Sequence, residues 1–120
     1  MKPRFYETPF EHVTYALVVN EKQLHKVSKD KSLNFLSLGK CAQTRFKERK
    51  GKTMAIVELR TADRPRHATY ALLTHEAVHI WQAAKEAMGE DAPSCEFEAY
   101  SIQRIAQDLF YEYDRLIACG

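Results

Sequence analysis

The chain has 120 residues, 45% hydrophobic and 28% charged, with a formal net charge of +2. This is enough for one domain over residues 1–120 with one modest core, and its charge argues neither for nor against a polyanionic partner. No apolar run approaches the ~20 residues of a membrane span. The opening Met1-Lys2-Pro3-Arg4-Phe5-Tyr6-Glu7 shows no signal peptide. Three cysteines (Cys41, Cys95, Cys119) cannot all pair within one chain and match no zinc-knuckle spacing, so a reducing cytoplasm is the expected location.

In chain order, His12 to Val19 is rich in β-branched and aromatic residues and reads as a strand, with a helix as its main competitor. Asn20 caps a short helix from Glu21 to about Lys29, with Leu24 and Val27 buried. Residues 32 to 39 form a connection with a few apolar anchors. Residues 43–47 and 53–59, separated by Lys50-Gly51, predict a hairpin. Its basic residues Arg45, Lys47, Arg49, Lys50 and Lys52 read as solvated charge rather than a nucleic-acid contact.

A long helix follows, over about residues 64 to 88, with Asp63 or Thr61 as its cap, Pro65 in its first turn and Gly89 as its stop. Ala68, Ala71, Leu72, His75, Val78, His79 and Gln82 share one side. Leu73, Ala77, Ile80, Ala84 and Ala87 share much of the other. Such a helix is expected to be sandwiched between the sheet and another helix. After the polar break at residues 90–94, Ser94 caps a last helix from about 95 to 117. Its stripe is Ala99, Ile102, Ala106, Leu109, Tyr113 and Leu116.

The long helix contains His75-Glu76-Ala77-Val78-His79, an HExxH pattern. Histidines four apart lie on one helix face and can converge on one ion, with the intervening Glu beside a water bound to that ion. Chance alone yields this pattern in roughly 2% of shuffled sequences of this composition, so context matters. The flanks are free of Gly and Pro, and the last helix opens with Glu96 and Glu98, which offer a third zinc ligand. At 100° per residue from Ile102, Glu98 falls about 40° from the stripe centre and Glu96 about 120°. Periodicity therefore favours Glu98.

HExxH followed by a helix opening Glu96-Phe97-Glu98-Ala99 resembles the gluzincin metallopeptidases, over about residues 65 to 106. The resemblance implies a minimal zincin-like α+β fold, with a small, mostly antiparallel sheet packed on two main helices. It implies Zn2+ held by His75, His79 and Glu96 (Glu98 as the alternative), Glu76 as the base that activates water, and Ala99 packing on the motif helix. It also implies a protein or peptide substrate and a small intracellular protease of phage or bacterial type. One departure is Tyr100, where the family carries the Asp or Asn that orients a ligand histidine.

Strand 53–59 is expected to be the edge strand that pairs with extended substrate, or else an ordinary sheet strand. Trp81 is expected in the core or in the wall of a groove rather than as a substrate contact. Tyr100, Tyr70, His67 and Arg104 are candidates to stabilise an oxyanion, and Cys95 reads as a small buried cysteine beside the ligand. Two rivals stand beside the peptidase: a catalytically inactive zincin-fold binding or regulatory protein, and a plain helical interaction protein with a fortuitous motif.

Overall fold

A computed structural model describes residues 2–118; Cys119 lies outside the described residues. The elements are β1 (Tyr6–Glu7), β2 (Val13–Val18), α1 (Glu21–Ser28), β3 (Ala42–Arg49), β4 (Lys52–Leu59), α2 (Arg66–Met88) and α3 (Cys95–Ala118). A one-turn 3-10 segment, Pro9–Glu11, joins β1 to β2. The strands form one sheet in the order β1-β2-β4-β3, with β2 and β4 parallel and the other two pairings antiparallel. The fold is α+β, as expected. The two-residue β1 carries too little pattern to have been read from the sequence.

The sheet is covered on both faces. Val13, Tyr15, Leu17, Ala55, Val57 and Leu59 meet α2 and α3 through Leu73, Ala77, Ile80, Trp81, Ile105 and Leu109. On the other face Ala16, Val18, Met54 and Ile56 meet Leu24 and Val27 of α1. Double coverage explains the near-continuous apolar runs in β2 and β4, which alternate poorly and so left a helix as competitor for β2.

Local signals place most boundaries. The Asn20 side chain accepts from the Gln23 N–H at 2.8 Å, which caps α1. Ser94 Oγ accepts from the Phe97 N–H at 3.2 Å, which caps α3. Lys50 and Gly51 both have positive φ, 54° and 76°, as a two-residue hairpin turn of this hand requires. Gly89, at φ 70°, ends α2 in the left-handed conformation. The start of α2 differs from expectation: Pro65 occupies the cap position, and neither Thr61 nor Asp63 caps it through a side chain.

Three placements differ from expectation. Strand β4 is interior, and β3 is the edge strand beside α2. The α3 stripe is rotated by about 60° from its expected centre: the buried positions are Ser101, Ile105, Leu109, Glu112 and Leu116. In α2 the buried side is Thr69, Leu73, Glu76, Ala77, Ile80, Trp81 and Ala84. The side carrying Ala71, His75, His79 and Gln82 faces solvent, so the sheet and α3 cover one broad sector of the helix and leave the imidazoles outside it.

Candidate metal centre

His75 and His79 are both exposed, and their rings approach edge to face with centroids 4.8 Å apart. Their Nε2 atoms are 3.2 Å apart. A tetrahedral zinc with Zn–N bonds of 2.0–2.1 Å holds two nitrogens about 3.3 Å apart, so the pair already has the spacing of two ligands. The Nδ1 of His79 lies 3.0 Å from Gln82 Oε1. An amide oxygen only accepts, so in this contact Nδ1–H is the donor and His79 Nε2 accepts from the Nε2–H of His75, a proton that His75 must release to bind a metal through the same nitrogen. For His79 this is the tautomer a metal ligand needs, and Gln82 does the orienting that the sequence had left to residue 100.

Glu76 points elsewhere. It is 5% exposed, and its Oε1 accepts from Thr44 Oγ1 at 2.8 Å. Thr44 sits on the α2-facing side of β3, opposite Val57. The edge strand and the motif helix are therefore bridged at the middle of the motif. A cleft opens on each side of the bridge along β3. One, of about 420 Å³, is lined by Lys40, Cys41, Ala42, Leu72, His75 and Glu76 among others. The other, of about 570 Å³, holds His79, Gln82 and Phe46.

Of the two candidate third ligands in the first turn of α3, Glu98 is across the α2 helix from the imidazoles. Glu98 accepts from the Trp81 indole N–H at 2.8 Å and lies 3.7 Å from Lys85 Nζ. Trp81 is about 160° around α2 from His79. Glu96 is exposed and makes no hydrogen bond or ion pair among the described residues. Measured from Ile105, it falls about 180° from the buried stripe and Glu98 about 20°. Among the described residues no group of three or more His, Cys, Asp and Glu side chains stands close enough to hold a metal ion. The imidazole pair thus fits zinc, while the three-ligand set is not assembled in this structure.

Trp81 is core, 2% exposed, with its ring edge to face with Phe97 at 5.6 Å. Ala99 is exposed rather than against the motif helix. Of the oxyanion candidates, Tyr70 donates its hydroxyl to Asp114 and stacks on Phe110 at 4.3 Å. Arg104 lines a separate cleft with Phe10 and Glu7. Tyr100 and His67 are exposed. Cys95 is exposed too, against expectation. The hairpin's charge is partly spent internally: Arg45 pairs with Glu58 at 2.9 Å, Lys47 donates to the Ser28 carbonyl, and Lys52 pairs with Glu7 at 2.8 Å. Sequence reasoning missed Thr44, Gln82 and Cys41. Only Gln82 had a local signal, its i+3 spacing from His79.

No family model, no curated protein and no solved structure matches this chain. No helix among the described residues is long and apolar enough to cross a membrane.

Proposed function

We propose that the protein is a zinc-dependent peptidase acting on a protein or peptide substrate. The observation that carries this reading is the 3.2 Å approach of His75 and His79 Nε2 with His79 oriented by Gln82. Zinc bound there supplies a water of lowered pKa and a Lewis acid for the scissile carbonyl. Glu76, next in the chain to His75, would be the base for that water and would pass its proton to the leaving amine, a role that requires it to turn from the Thr44 hydroxyl. The free edge of β3 pairs with an extended substrate backbone, the role the sequence had offered to strand 53–59. Glu96 remains the proposed third ligand because it alone of the two α3 carboxylates is uncommitted. Reaching the imidazoles requires the first turn of α3 to move. The same reading puts the protein in a reducing cytoplasm, where exposed Cys41 and Cys95 persist as thiols.

A second reading is favoured by one observation. Glu98 lies across α2 from the imidazoles, no third ligand stands with them among the described residues, and Glu76 is tied to Thr44. A catalytically inactive zincin-like binding protein needs no more than that. Calorimetric titration with zinc, together with cleavage of a random peptide library, separates the two. The peptidase reading expects stoichiometric zinc, its loss in His75→Ala, and cleavage abolished in Glu76→Gln. Zinc without cleavage selects the binding protein. No zinc at micromolar concentration sinks both metal readings.

A further inference from the structure

The cleft on the His79 side of the Thr44–Glu76 bridge, beyond His79, Gln82 and Thr53, combines an apolar wall and floor with carboxylates. One wall is the ring of Phe46, 45% exposed; the floor on α2 is small, at Ala83 and Ala87; and two carboxylates, Glu48 and Glu86, complete it. Phe46 and Glu48 face α2 because they lie opposite Ala55 and Thr53. On α2, Ala83, Glu86 and Ala87 follow His79 by four, seven and eight residues and so share its face. Glu86 is about 10 Å further along the axis, at 1.5 Å per residue.

The charge distribution is the second observation. Residues 45–52 are mostly basic, yet Arg45 and Lys47 lie opposite Ile56 and Met54, on the α1 side of the sheet. The α2 side of the same strand carries Glu48. Neither Glu48 nor Glu86 is ion-paired among the described residues; Glu48 accepts only from Thr53 Oγ1, at 2.7 Å. The cleft on the far side of the bridge carries Lys40 instead. That cleft also holds Glu76, so the carboxylates without a cationic neighbour lie at the His79 end of the trough.

We infer that the Phe46–Glu48–Glu86 cleft is a specificity pocket for one lysine or arginine side chain of an extended peptide lying along β3. A long alkyl stem fits against the phenyl ring and over the alanines, and the cationic head meets the carboxylates. The peptide backbone pairs with the strand edge. At ~3.3 Å per residue of strand, the basic residue lies within about three positions of the imidazole pair. The pocket rests on the peptidase reading only for what happens at that pair.

The test uses zinc-loaded Glu76→Gln protein and capped octapeptides of Val, Thr and Ser with a single Arg, Glu or Met at the fourth position, titrated by amide NMR. The Arg peptide is expected to bind about tenfold more tightly than the Glu peptide, shifting the β3 amides. That preference is expected to vanish in Glu48→Gln/Glu86→Gln and to persist in the exposed control Glu90→Gln. Glu86→Gln alone, on the exposed face of α2, serves if the double variant does not fold, and should at least halve the preference. Equal binding of the three peptides, a preference indifferent to Glu48 and Glu86, or no binding at millimolar peptide overturns the pocket. An Arg preference in a protein that binds no zinc would keep the pocket and discard the peptidase. Cleavage of the same peptides by the wild-type protein, blind to peptide charge, would do the reverse.

Discussion

Thr44 donates its hydroxyl to Glu76 across the gap between edge strand and motif helix, at 2.8 Å. This contact makes β3 and α2 one structural unit at the motif. It also gives the buried carboxylate its only hydrogen-bond partner among the described residues. Replacing Thr44 by Val keeps the shape and removes the donor. An unpaired buried acceptor costs about 1–3 kcal/mol. Thr44→Val is therefore expected to lower the urea midpoint by that equivalent, while Thr44→Ser retains most of the stability. Equal stability of the two variants would show that the bond contributes nothing.

Zinc is expected to raise the melting temperature. A ligand that binds only the folded state contributes about 2.7 kcal/mol at a concentration of 100 times its Kd. Because His75 and His79 are exposed, replacing either with Ala should leave the metal-free melting temperature nearly unchanged and remove the zinc-induced rise. Gln82→Ala is expected to weaken zinc about tenfold by releasing His79 from its orientation. Scanning fluorimetry with and without zinc reads all three.

The α3 carboxylates separate by role. Glu98→Ala leaves the indole N–H of buried Trp81 without its acceptor and is expected to cost about 1–3 kcal/mol of stability with little effect on zinc. Glu96 makes no side-chain hydrogen bond or ion pair among the described residues, so Glu96→Gln should be silent in stability and weaken zinc by about tenfold or more if it is the third ligand. Zinc affinity unchanged in Glu96→Gln would remove that assignment.

Stability should depend on pH through Glu112. This carboxylate on α3 is fully buried. Burial pushes its pKa up, but hydrogen bonds from the Arg115 side chain, the Arg4 N–H and Tyr6, with the Arg115 charge, outweigh burial and hold it below 4.5. A depressed carboxylate contributes stability that is present above 4.5 and is lost as pH falls through the lower folded value. At the other end the Tyr6 pKa is raised from 10.0 to about 12, by burial first and then by its bond to Glu112. Its contribution is present below pH 10 and lost between 10 and about 12. Denaturant unfolding across pH should show both limbs. Glu112→Gln is expected to flatten the acid limb and to cost about 1–3 kcal/mol near neutrality, since it weakens the bonds from Arg115, the Arg4 N–H and Tyr6 while Arg115 keeps its bond to the Lys2 carbonyl.

The elements that the chain declares locally could be read from it. Asn20, Ser94 and Gly89 act within one turn of the helix ends they set, and Lys50-Gly51 closes a hairpin between neighbours. The convergence of His75 and His79 follows from 3.6 residues per turn and needs nothing else. Trp81 and Leu73 declare their burial by being large and apolar on one side of α2.

What only tertiary structure decided is the order of the strands and the direction each helix faces. The parallel pairing of β2 with β4 sends β3 to the edge; the charged β3 and apolar β4 are compatible with that order, but neither names its partner strand. The rotation of α3 depends on burying Ser101, Ile105, Glu112 and Leu116 together. Glu112 is admitted to that face only because Arg4, Tyr6 and Arg115 converge on it from distant parts of the chain. That rotation carries Glu98 to Trp81 and turns Glu96 outward. Thr44 meets Glu76 for the same reason: contacts between residues 32 positions apart are settled by which apolar faces are buried against each other, and only the whole chain determines that.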